Sequence, residues 1–229
     1  MSDVLAQLRK ANPHLDFKDI SDPAFERFGH YLPQYDATEM IERAAAIVPQ
    51  TERVAYETSV KALEEPSALN TALLQEVYGG MDAQVGWCYG HNQALNGVEY
   101  HRGSEVNVMV TDAIFLVGHL QDVEFGEEIR YDTSKIGAFY APKGSVIECP
   151  AWNLHMAPIS VREGEQFCVL VYLPRGTNEK LAFAVPATGE NRLLRAVNKW
   201  MMGHPSLERM IQFGVYPGLV GDNPTVNPI

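Results

Sequence analysis

Glu99-Tyr100-His101-Arg102-Gly103-Ser104-Glu105 and, further along, Gly144-Ser145-Val146-Ile147-Glu148-Cys149-Pro150-Ala151-Trp152-Asn153-Leu154-His155 are the stretches that decide how this chain folds. Residues i and i+2 of a strand point to one face, so Glu99 and His101 project together. Glu105 follows a bend and can return to the same space. His155 opens a later strand, after the turn Pro150-Ala151-Trp152-Asn153. Two ligands from one strand and one from each of two neighbours can clamp a divalent ion. Nitrogen and oxygen donors suit Mn, Zn, Co, Fe or Ni, with positions left open for a substrate. The expected metal set is therefore Glu99, His101, Glu105 and His155.

Outward from these stretches, Tyr78 to Pro174 is a succession of short β-rich runs: QVGWCY, VEYH, EVNVMV, AIFLVGHL, IGAFYA, SVIEC, LHMAPISV and QFCVLVYL. Gly, Pro, Asn and Asp separate them, which is the pattern of a barrel or sandwich. Residues 1–75 read mainly as helix. Asp36 and Glu39 have the spacing of a capping box, and Ile41, Ala44, Ala45 and Val48 recur at helical spacing before Pro49. The pattern predicts further helices from Arg53 to Leu63 and from Ser67 to Glu76. Beyond Pro174, Leu193, Leu194, Val197 and Met201 predict a helix over Asn191 to Met202. In the Gly- and Pro-rich tail, Phe213, Tyr216 and Leu219 are expected to dock on the surface. The expected organisation is one domain over 1–229: helical 1–75, barrel core 76–175 and C-terminal extension 176–229.

At 229 residues and 46% hydrophobic content the chain can bury one sizeable core. Its net charge of −11, without a Lys/Arg cluster, argues against nucleic acid as a partner. No apolar run approaches the ~20 residues of a membrane span, and the N-terminus lacks the features of a signal peptide. Cys88, Cys149 and Cys168 form no CxxC pair. They read as buried thiols of a cytoplasmic protein.

The two motif stretches resemble the cupin superfamily. Its first motif is His-x-His followed after three or four residues by Glu, and here Glu99 stands in place of the first His. Its second motif is matched at Gly144, Pro150 and His155, while Trp152 and Ile159 replace the second Gly and the Asn. The resemblance implies a mainly β fold, a single cupin β-barrel (jelly roll). GHNQALNGVEYHRGSEVNV, TDAIFLVG, YDTSKIGAFYAPKGSVIECPAWNLHMAP, LPRGTN and NKWM are together similar to one bacterial cupin family long labelled as of unknown function. That likeness runs from about Tyr78 to the C-terminus. Members of the family are linked to sugar catabolism and include sulfoquinovose isomerases.

The implied activity is a metal-dependent aldose–ketose isomerase working through an enediol, on sulfoquinovose (giving 6-deoxy-6-sulfofructose) or a related hexose. Such chemistry needs a metal to polarise neighbouring oxygens and a base of moderate pKa, but no nucleotide cofactor. Glu148, in an otherwise apolar run, is the first candidate for the base, with Glu105 as the alternative if it is not a ligand. His91 is a third catalytic candidate. Asn92 and Asn96 could hydrogen-bond sugar hydroxyls. Arg102, Lys143, Arg175 or Lys199 could grip an anionic group, and Trp152 lies close to His155. Rival activities are a cupin dioxygenase or decarboxylase, a sugar-acid epimerase or lyase, and a non-catalytic sugar-binding module. A homodimer is expected by analogy of fold.

Overall fold

The computed structural model describes residues 3–229. Two sheets face each other. The larger runs, in spatial order, through His30–Tyr31, Val146–Cys149, Glu105–Met109, Phe167–Pro174, Ala83–Gly90 and Ala55–Glu57, every pair antiparallel. The smaller runs through Phe17–Asp19, Gly137–Ala141, Ala113–His119 and Asn153–Leu154, with Phe17–Asp19 joining in parallel. The chain is mainly β, as expected for a cupin jelly roll. Two three-stranded ribbons complete it: Leu194–Ala196, Lys199–Gly203 and Gly97–Tyr100, and Leu219–Val220, Ile129–Asp132 and Glu124–Phe125.

Three apolar clusters follow from this layering. Between the sheets lie Cys88, Met109, Phe115, Phe139, Ile147, Val169 and Val171 with their neighbours. The outer face of the large sheet, with Val106, Val108, Leu170 and Tyr172, is covered by Met40, Ile41, Ala44, Leu63, Leu69 and Leu73. These come from the helices Thr38–Ala45, Lys61–Glu64 and Ala68–Ala72 and the π turn Leu73–Val77. The outer face of the small sheet packs against helix Asp3–Ala11 and the C-terminal segments. Both faces of the central strands are thus buried, which is why FCVLVYL is a nearly continuous apolar run, while EVNVM departs from that pattern at Glu105 and Asn107. Each large aliphatic side chain fully buried in these layers contributes roughly 1.5–3 kcal/mol.

The structure corrects several expectations. Residues 3–77 are not helical throughout: strands Phe17–Asp19, His30–Tyr31 and Ala55–Glu57 interrupt the helices. Arg53 to Leu63 holds an edge strand and one short helix. That strand exists because Gly86 and Gly90 lack side chains: a Cβ on Gly86 would stand 2.0 Å from the Glu57 carbonyl oxygen, and one on Gly90 2.1 Å from that of Arg53. The helix there is Thr38–Ala45 with Ala37 at its N-cap; Asp36 Oδ1 accepts from the Thr38 N–H one residue outside, and Glu39 pairs with Arg43, so no capping box forms. The helix Ser67 to Glu76 is present, opened by the Ser67 hydroxyl. Asn191 to Met202 is not a helix. It is a short 3-10 turn followed by the hairpin Leu194–Ala196 and Lys199–Gly203. In the tail Leu219 docks as expected and Tyr216 packs against the core, whereas Phe213 is 70% exposed. The three cysteines are buried and unpaired.

Candidate metal centre

Three backbone pairings assemble the centre. Glu99 and His155 exchange both main-chain hydrogen bonds, Glu99 N–H to His155 O at 2.6 Å and His155 N–H to Glu99 O at 3.1 Å. Directly opposed residues share a face, so their side chains emerge together, with His101 two residues on from Glu99. Glu105 opens the next strand opposite Cys149, and Asn107 follows it on the same face. The third pairing sets Met201 opposite Glu99 and Trp200 opposite Tyr100. Alternation then puts Lys199 on the face of Glu99.

The donor atoms converge. Those of Glu99, His101 and His155 lie within 4.8 Å of one another. Glu105 Oε2 stands 3.4 Å from both His101 Nε2 and His155 Nε2. His101 Nδ1 donates to the Asn198 carbonyl at 2.7 Å. His155 Nδ1 donates to Asn153 Oδ1 at 2.9 Å, and Asn153 is itself oriented by the bond from its Nδ2 to the Phe28 carbonyl. Both imidazoles therefore turn Nε2 inward, and both Nε2 atoms are buried without a hydrogen-bond partner. Asn107 occupies Glu105 Oε1 at 3.0 Å, leaving Oε2 for the imidazoles. Two nitrogen lone pairs aimed at a carboxylate oxygen repel it unless a cation lies between them. The donor set and its locked tautomers are what a divalent ion requires.

The carboxylates and imidazoles also act on one another directly. Burial opposes the charge of Glu105, but His155 and His101 outweigh it and hold the carboxyl well below the usual range. Burial opposes the charge of Glu99 too, and Lys199, ahead of His101 and His155, outweighs it. For His155 burial works against protonation, and Glu105 and Glu99 reverse that, so its pKa is raised.

A cavity of about 150 Å3 opens onto this group. Glu99, Glu105, Asn107, His155 and Lys199 form its polar end, while Phe115, Val171, Met156 and Pro158 are part of its apolar wall. Tyr56 and Val54 stand at the rim, each partly exposed. The Tyr56 hydroxyl accepts from Asn178 Nδ2 at 2.9 Å. Burial, then Glu105, pushes its pKa up. Tyr56 as a whole is 38% exposed.

Other expected site residues lie elsewhere. Glu148 is opposite Val106, so it shares the outer face with Val106 and points away from Glu105. It accepts from the Ser104 hydroxyl at 2.5 Å and does not line the cavity. His91 is half-buried just past Gly90 and does not line the cavity either. Asn92 donates to the carbonyls of Ala157 and Pro158, and Asn96 binds Asn223, so both fasten loops. Arg102 is held by Glu190 at 2.7 Å and lies over Trp200. Lys143 is exposed, with its N–H on Asp112. Arg175 pairs with Asp82 and Glu64. Trp152 is 39% exposed beside His30 and His119. Sequence reading passed over Asn107, Asn153, Asn198 and Tyr56. Alternation from Glu105 and from His155 points to the first two; the others depend on long-range pairing.

No helix among the described residues is long and apolar enough to cross a membrane. No curated protein matches the chain. Among solved structures, a mutant of Bacillus subtilis oxalate decarboxylase is 11% identical with a TM-score of 0.32, over 56% of this chain and 27% of that one. A mutant of salicylate 1,2-dioxygenase from Pseudoaminobacter salicylatoxidans is 12% identical with a TM-score of 0.32, over 60% of this chain and 31% of that one. The matched regions thus span about a third or less of those longer proteins. Over residues 17–224 the chain belongs to the family described as a domain of unknown function, DUF4867.

Proposed function

We propose that this chain is a metal-dependent enzyme that interconverts an aldose and a ketose, sulfoquinovose or a related hexose being the first substrates to test. The observation that carries the metal reading is the pair of buried, unpartnered Nε2 atoms, each 3.4 Å from Glu105 Oε2. His101, His155, Glu105 and Glu99 would hold the ion. A divalent ion there would polarise the carbonyl and neighbouring hydroxyl oxygens of a substrate. The sugar reading is supported by the motifs that resemble the isomerase-containing family. The cavity supports a small ligand: its volume is below the roughly 300–1,000 Å3 of drug-sized sites.

Proton transfer between the two carbons falls to Glu99, the carboxylate that reaches the cavity and is left free where His101, Glu105 and His155 alone hold the ion, in place of Glu148. The apolar wall of Phe115, Val171, Met156 and Pro158 excludes water around the reacting carbons. On this reading the enzyme works in the cytoplasm as a homodimer, without nucleic acid; its unpaired thiols suit a reducing compartment.

The test is proton NMR in D2O with the metal-reconstituted protein and a panel of aldoses and ketoses including sulfoquinovose. Deuterium entering at C1 or C2 with appearance of the partner sugar, both abolished by chelator, is the expected result. No exchange on any sugar would sink the isomerase. The second reading, oxidation or decarboxylation of a small organic acid, is favoured by the ammonium of Lys199 beside that apolar wall. Oxygen uptake and carbon dioxide release would then be measured.

A further inference from the structure

Lys199 lies in the hairpin that closes one side of the cavity. Its ammonium touches Glu99 Oε2 at 2.5 Å, and its side chain is only 19% exposed. It lines the cavity together with Glu105 and His155. An ammonium has three N–H donors, and Glu99 is its one ion-pair partner among the described residues. A lysine drawn out of water at a metal-ligand group costs desolvation energy, which a single carboxylate offsets only in part. The turn before it is fixed: Asn198 has φ +56°, its carbonyl receives His101 Nδ1, and its side chain receives the Arg102 N–H and donates to Thr177 Oγ1. The position of Lys199 is therefore set by the same turn that orients a metal-binding imidazole.

We propose that Lys199 is a substrate-binding residue, tethered by Glu99 and donating a hydrogen bond to a negatively charged substrate oxygen beside the metal. The inference rests on the metal reading above and adds the charge class of the ligand. With both imidazoles neutral, two carboxylates, one ammonium and one divalent ion leave a single net positive charge. The centre thus favours an oxyanion, whether an enediolate formed during turnover or the carboxylate of a small acid. Without Lys199 the same count is zero.

The probe is glycolate, an α-hydroxy carboxylate able to present two adjacent oxygens. Cobalt(II) would be titrated into wild type and Lys199→Met and followed by its visible spectrum; glycolate would then be titrated into each loaded protein. The expected result is near-equal cobalt binding and glycolate binding weakened about 10-fold or more, as for loss of a charged hydrogen bond. Lys199→Arg, which keeps the charge, should recover part of it. Equal glycolate affinity in wild type and Lys199→Met would overturn the assignment, as would a cobalt-loaded wild type that ignores glycolate. Parallel loss of cobalt would also overturn it, making Lys199 only a prop for Glu99. A wild type that binds no cobalt would overturn the metal reading itself, a failure visible before any variant is made.

Discussion

The two faces of the large sheet are built from the same strands and do different work. Glu105, Asn107, Cys149 and Val171 point inward, where the sheets leave space for the imidazoles of His101 and His155. Val106, Val108, Leu170 and Tyr172 point outward and vanish under the N-terminal helices. Both faces are buried, yet one surrounds unpartnered polar atoms and the other is a mainly apolar layer in which the Tyr172 hydroxyl is used up on Asn70 and the Glu148 carboxylate on Ser104. Chemistry should therefore be confined to one face and stability shared by both.

The largest effect should come from the inner face. His101→Ala or His155→Ala removes a ligand, and metal binding should fall by more than the ~10–100-fold that loss of a supporting partner costs. Metal content after dialysis measures it, and stoichiometric metal in both variants would break the comparison. On the outer face, Leu170→Ala should lower stability by about 2–5 kcal/mol in denaturant unfolding, while each folded molecule keeps its metal. Loss of metal at unchanged folded fraction would show that the faces are coupled. Asn153→Ala is smaller. It frees the His155 tautomer and ring orientation, and metal affinity should fall about 10–100-fold with the sheets intact.

The inner face was partly legible in the sequence and the outer wall of the cavity was not. Glu99 and His101 declare themselves by the two-residue period, and His155 by the turn before it. Those signals are local. The hairpin carrying Lys199 is held by pairing with Gly97–Tyr100, far away in the chain. Its Leu193, Leu194, Val197 and Met201 imitate a helical stripe. Its two-residue turn, Val197-Asn198, lacks the Gly that usually marks a hairpin, although Asn198 takes the left-handed conformation. The strand bearing Tyr56 is likewise an edge of three residues, admitted by glycines on its neighbour. Register was the other missing quantity. An apolar run such as Val146–Cys149 has both faces buried, so composition cannot say which way Glu148 points.

Glu148 offers the finest test, because the expected effect is close to none. It is opposite Val106 on one neighbour and His30 on the other. Its contact is the Ser104 hydroxyl, which an amide oxygen can still receive. Glu148→Gln should keep metal content and turnover at wild-type levels and change stability by less than about 1 kcal/mol. Glu105→Gln, one register step away on the adjoining strand, should lose metal. A Glu148→Gln variant that folds and binds metal but turns nothing over would break the division between the faces. Ser104 and Glu105 are adjacent in the chain, so the proton path would then have to cross the sheet at that point, and Ser104→Ala should reproduce the loss.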